Sequence, residues 1–276
     1  MPEKKKKLFC EISPTTYAIS LQKEICKRHL KNLRSKTKFA KEIQESKLPN
    51  VVSSHGSNLI KRAPGIDLKL QENKAVNIVL ACRKINKMII RPGEVFSFWG
   101  TVGKITKKKG YLDGRIIEKN VIKPGIGGGL CNLGNTIHWL VLHSPLDVVE
   151  FHGHSDALAP DEGKRLPFSS GTSVFYNYID YRFKNNTDQI LQLLVWCDDE
   201  KLYGEIRSEK EFPWRYELSE EGHHFAKEGN KYYRISKIYK ETIDNKSGEI
   251  VDKKLVLDNH SEVMFDYDLI PQDQIR

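Results

Sequence analysis

Pro124-Gly125-Ile126-Gly127-Gly128-Gly129-Leu130-Cys131 runs directly into Asn132 to His143, a stretch with helical apolar spacing. A glycine-dense turn thus delivers a single cysteine to a helix start. There, backbone N–H groups and the positive end of the helix dipole favour a thiolate. Further along, Phe151-His152-Gly153-His154 reads as a strand. A period of two places both histidines on one face. A cysteine at a helix start with histidine on the following strand is one way to build a nucleophile and its base.

Three chemistries are open to these residues. In the first, Cys131 is the nucleophile of an acyl transfer and His152 or His154 the base. The N–H groups from Gly129 to Asn132 form an oxyanion hole, and the Asn132 side chain orients the histidine or a substrate amide. In the second, Cys131, His152 and His154 form a Cys-His₂ zinc set with one open position for water. In the third there is no reaction. Gly127, Gly128 and Gly129 form a nest for a carboxylate or phosphate, Arg91 pairs with an acidic ligand group, and the protein is a binding or scaffold module. The turn lacks the Gly-Lys-Ser/Thr ending of a phosphate-binding loop, which argues against a nucleotide. The expectation is a site with no resident cofactor or metal.

The elements that must position these residues follow from the flanking sequence. Residues 15–47 read as one long helix or two short ones, ended at Leu48-Pro49-Asn50. Residues 51–68, rich in serine, glycine and proline, read as a loop-rich connection. Asn73 to Asn86 carries Val76, Val79, Leu80 and Ile85 on one helical face, with Cys82 beside it as a packed small hydrophobe. Val95 to Phe98 alternates as a strand, and the segments on either side of Lys119 form a hairpin. Leu146 to Phe151 is apolar enough to be a central strand, and Ser144-Pro145 ends the cysteine helix. From Ser173 onward, short alternating strands separated by turns dominate. His138 lies two helical turns after Cys131 and reads as a partly buried helix histidine. His223-His224 reads as part of a solvated turn.

Composition sets the class. The 276 residues are 39% hydrophobic and 29% charged, which describes a soluble globular protein of one large or two modest domains, and the run of elements makes the expected class α+β. Its expected organisation is a basic helical segment at 1–48, a mixed core at 49–190 and a β-rich region at 191–276. No apolar run is long enough to span a bilayer. The five scattered cysteines, with no C-x-x-C, fit a reducing compartment, and the expectation is a cytoplasmic protein, peripheral to the membrane. The net charge of +9 is concentrated: residues 1–48 hold 13 of the 45 basic and 5 of the 36 acidic side chains. That segment suits an anionic membrane surface, a nucleic acid or an acidic partner.

Five blocks in order carry a resemblance: Arg91-Pro92-Gly93-Glu94-Val95-Phe96-Ser97-Phe98, Gly110-Tyr111, the glycine–cysteine turn, Glu150 to His154, and Ile179-Asp180-Tyr181-Arg182-Phe183-Lys184-Asn185-Asn186-Thr187. Together they resemble the VanW family over roughly residues 68–190. The resemblance implies a link to glycopeptide resistance and peptidoglycan metabolism, with a cell-wall precursor or peptide as ligand. Two positions depart from the family pattern. Asn132 stands where glutamine is usual, and Gly171 where an aspartate is usual. If that aspartate orients a catalytic histidine in relatives, Asp156 or Asp180 must replace it here.

Overall fold

The computed structural model describes residues 8–60, 67–118, 121–153, 172–176 and 179–276. Helix α1 (Pro14–Arg34) opens the chain, and the Ser13 hydroxyl caps it by accepting from the Thr16 amide at 3.2 Å. Strand β1 (Asn50–Asn58), helix α2 (Leu68–Ile85) and strands β2 (Met88–Ile90) and β3 (Val95–Ser97) follow. Next come a short helix α3 (Phe98–Val102), the hairpin β4 (Asp113–Glu118) and β5 (Val121–Ile126), and helix α4 (Leu130–Leu142). Strands β6 (Asp147–Glu150), β7 (Arg182–Lys184), β8 (Leu191–Cys197) and β9 (Lys201–Ser208) complete the core. Three long strands end the fold: β10 (Trp214–Glu228), β11 (Lys231–Asp244) and β12 (Ile250–Glu262). The α+β class expected from the sequence is the one observed.

The strands pair antiparallel throughout. The main sheet has the order β1-β9-β8-β2, and α2 and α4 pack on it. Ile78, Ile85, Leu133, Ile137, Leu140, Leu193, Val195 and Ile206 are fully enclosed between these layers. A second sheet, β3-β7-β6, continues the same core through Phe96, Phe98, Tyr181 and Phe183. Cys82 is buried there and shares a side-chain hydrogen bond with Cys197. The last three strands form a separate sheet, β10-β11-β12.

Four expectations change. Residues 35–48 are not helical; they run as an extended segment whose Phe39 and Ile43 bridge Val95 and Met88. Residues 50–58 are a strand rather than a loop. The inward positions Ser53, His55 and Ser57 meet α4 by hydrogen bonds and ring stacking, so no apolar alternation marks the strand. The Ser53 hydroxyl donates to the Leu140 carbonyl at 3.0 Å, His55 stacks on Trp139 at 4.4 Å, and Ser57 lies 3.1 Å from the Thr136 hydroxyl. Strand β6 is an edge strand, not a central one. Strands β8 and β9, assigned by sequence to the C-terminal region, lie inside the core sheet, and the separate sheet begins only at Trp214.

The start of α4 is seated by backbone contact. A methyl group on Gly114 would sit 2.5 Å from the Gly128 carbonyl oxygen, and one on Gly128 would overlap the Gly114 carbonyl carbon. Asn77 of α2 ties the same spot. Its amide nitrogen donates to the carbonyls of Gly128 and Leu112, both at 3.0 Å, and its oxygen accepts from the Leu112 amide at 2.8 Å. The far end of α4 is held by Lys240 of β11, whose ammonium donates to the carbonyls of Ser144 and Leu146, the latter at 3.1 Å, and lies over the Tyr216 ring.

These contacts rank two glycines. Gly128→Ala should cost about 3 kcal/mol or more, because backbone must move to admit the methyl. Gly93→Ala, at a turn with φ of 78° and no atom near the added methyl, should cost about 1 kcal/mol. Urea denaturation of both variants measures the difference, and equal losses would contradict the seating contact.

Candidate functional site

Cys131 is the second residue of α4, directly after Gly129 in the left-handed region at φ 96°. Its Sγ donates to the Val174 carbonyl at 3.8 Å. Burial pushes the thiol above its ordinary value, against the backbone hydrogen bonds at Val174 and Cys131. The same helix face packs on the segment at 172–174: Gly134 leaves room for the Thr172 and Val174 side chains, and the Asn135 oxygen accepts from the Thr172 amide at 2.7 Å. Thr172 bridges Gly153, and the Ser173 amide donates to the His152 carbonyl at 2.6 Å. One short segment thus lies between the thiol and the backbone of the histidine strand.

The neighbouring groups take other directions. Asn132 turns to β1, where its amide nitrogen donates to the Asn58 carbonyl at 3.4 Å and its oxygen accepts from Ser57 at 3.5 Å. The glycine turn uses its own donors. Gly127 donates to Leu112, Gly128 to Gly125, Leu130 to Gly127 and Asn132 to Gly129, at 2.9 to 3.4 Å. Lys74 packs its aliphatic stem against Gly129. Arg91 lies apart, with its guanidinium on Glu42 at 2.8 to 3.1 Å, an ion pair that raises its pKa.

His152 is drawn into a charged cluster. Its Nε2 lies 3.2 Å from Oε1 of Glu150. Arg28 of α1 grips the same carboxylate at both oxygens, at 2.6 and 2.7 Å. Burial alone would raise the Glu150 pKa, but the hydrogen bonds from Arg28 and His152 and the charges of Arg28 and Arg182 bring it below the usual carboxylate range. Arg182 joins through Asp180 at 2.6 Å and Asn32 at 3.0 Å. Among the described residues, Asp180 has no histidine partner. Its carboxylate accepts from Ser97, the amides of Trp99 and Tyr181, and Arg182. The acid that meets His152 is Glu150, two residues earlier on the same strand, and that spacing was a readable signal. His154, Asp156 and Gly171 lie outside the described residues. Among the described residues, no group of three or more histidine, cysteine, aspartate or glutamate side chains is arranged to hold a metal ion.

His138, read from the sequence as a partly buried helix histidine, is accompanied by a second buried polar group, Lys240. His138 is buried, with Nδ1 2.9 Å from the Tyr181 hydroxyl and its ring stacked on Phe151 at 4.7 Å. Burial, assisted by the Lys240 charge, lowers its pKa to about 3. Burial lowers Lys240 to about 8. A cavity of about 510 Å³ opens beside them, lined in part by Leu146, Phe151, Tyr216 and Leu257. Lys240 shares a strand face with buried Ile238 two residues earlier, the one sequence cue to its burial. His223 and His224 lie within β10 rather than in a turn, at an irregularity opposite β11.

The core sheet clasped by two helices, with a glycine turn feeding a cysteine into the second, is the part of the chain that resembles known proteins. Residues 73–207, from α2 to β9, match the family model described as "VanW like protein". The chain is 29% identical over 227 residues to the vancomycin B-type resistance protein VanW of Enterococcus faecalis, which covers 82% of each chain. It is 30% identical over 118 residues to the uncharacterized protein YoaR of Bacillus subtilis, covering 43% of this chain and 37% of that protein. No solved structure matches.

The buried His138 gives a pH prediction. Its folded pKa lies below the ordinary 6.5, so the unfolded chain takes up the proton first as pH falls. Stability should be fully present above 6.5 and be lost on going down towards about 3. His138→Phe should flatten that limb, read as the urea midpoint at about pH 7 and about pH 4. An unchanged acid limb in the variant would contradict a neutral buried imidazole.

Proposed function

We propose that this protein serves glycopeptide (vancomycin) resistance as an accessory protein, and that Cys131 performs acyl transfer or hydrolysis on a peptide of a cell-wall precursor. The resistance assignment is supported by similarity to the Enterococcus VanW protein. The chemical assignment is supported by one observation. The Cys131 thiol leaves the start of α4 towards Val174, in the segment that bridges to His152 and Gly153. In this reading the resting thiol is neutral. A histidine at 152 or 154 takes its proton as the thiolate attacks the substrate carbonyl. The amine then leaves with that proton, and water or a second amine resolves the thioester. His152, whose Nε2 meets Glu150, would take the proton at Nδ1 with the carboxylate orienting its ring.

A second reading is favoured by the raised thiol pKa and by the committed donors of the glycine turn. In it Cys131 is a packed residue, and the protein binds a cell-wall precursor without altering it.

Cys131→Ala separates the two. The catalytic reading expects loss of resistance in cells with an unchanged thermal unfolding midpoint. In a variant whose other four cysteines are serine, alkylation of Cys131 should slow at least tenfold when His154, or failing that His152, becomes alanine. Full resistance from Cys131→Ala would sink the catalytic reading and leave the binding one.

A further inference from the structure

Among the described residues, one face of helix α1 has no protein partner, and its chemistry specifies what covers it. Ser20, Leu21, Glu24, Ile25, Arg28 and Asn32 turn towards the fold and are half-buried. On the opposite side Ile19, Cys26, Leu30 and Leu33 recur at intervals of seven, four and three. At about 100° per residue they fall within one narrow stripe. Ile19 is 55% exposed, Leu30 49% and Leu33 83%. The preceding turn continues the stripe with Leu8, Phe9 and Ile12, each more than half exposed. On the helix itself the apolar stripe, from Ile19 to Leu33, is about 21 Å long.

Charge borders this stripe on one side. Lys23 and Arg34 flank it and Lys31 lies further round. None of the three has an ion pair among the described residues. The acidic residue of α1, Glu24, points to the fold side and pairs with Lys27 at 2.6 Å. Lys4 to Lys7 precede the apolar turn in sequence.

We infer that this face of α1 and the turn before it dock on an anionic phospholipid bilayer, with the apolar stripe at the acyl boundary and the lysines and arginine at headgroup phosphates. The geometry is that of an interfacial helix, lying in the plane rather than crossing it. Among the described residues no helix is long and apolar enough to span a membrane. A second copy of the chain is a poorer occupant. Two such faces packed together would bring Lys23 and Arg34 against their like, with no carboxylate on the stripe to offset them. The clamp of Arg28 on Glu150 and of Arg182 on Asn32 fixes the rest of the molecule to the docked helix.

The test is flotation of the full chain with vesicles of phosphatidylcholine and phosphatidylglycerol at about three to one, against phosphatidylcholine alone, over a salt series. Binding should require the anionic lipid and weaken with salt. Leu30→Ser with Leu33→Ser should weaken it about tenfold or more. Lys23→Gln with Arg34→Gln should weaken it about thirtyfold at low salt. These side chains are solvent-facing, so unfolding midpoints should stay at the wild-type value. Three results would overturn the inference: no flotation, equal flotation with both vesicles, or a self-association in sedimentation that Leu33→Ser abolishes.

Discussion

The meeting of Gly114 with Gly128 is the contact on which the site depends. Two backbones touch with no side chain between them, so the β4–β5 hairpin and the first turn of α4 have a single spacing. Asn77 then joins α2 to the same point with three hydrogen bonds, each worth about 1 kcal/mol when buried. From that anchor the direction of the Cys131 thiol follows. The anchor also engages part of the turn: the Gly127, Gly128, Leu130 and Asn132 amides donate within it or to Leu112, while the thiol points to the 172–174 side.

The blocks that carry the family resemblance divide by role in the same physical way. Asp180 gathers a serine, two amides and an arginine, and so fixes the corner where β3 passes into α3. Asn185 closes the turn beside β7 through the Ile90 and Gln189 carbonyls. Glu94 accepts from the Arg91 amide and shapes the turn before β3. These polar residues are spent on the frame. Glu150 serves differently: it is shared by the histidine strand, by α1 and by the Arg182 corner, so it couples the N-terminal helix to the neighbourhood of the candidate site.

Helices α2 and α4 were legible because each buries an apolar face with helical spacing. The hairpin around Lys119 was legible because apolar runs flank it. Strand β1 was not, because Ser53, His55 and Ser57 meet α4 through polar contacts, and a hydrophobic pattern cannot report those. The helix read through residue 47 stops at Arg34 because the following residues find backbone partners at Val95 and Met88, pairings made across long sequence separations. At the site, Cys131 and its place at a helix start were visible from the glycines. Its raised pKa was not, since burial by the 172–174 segment is a tertiary fact. Lys240 was invisible for the same reason: nothing local tells that its ammonium will meet carbonyls a hundred residues away.

That last contact bears on how the chain comes off the ribosome. The carbonyls just beyond α4, at Ser144 and Leu146, wait for a cation nearly a hundred positions downstream, and β1 waits for β9 across a still longer gap. The segment that matches the family model, residues 73–207, emerges before that cation exists. A nascent core therefore stands with one end of its central helix ungripped until β11 is synthesised. Late arrival of the C-terminal sheet is thus the closing step of assembly, and a chain cut short before it leaves the carbonyls just beyond the cysteine-bearing helix without their cation.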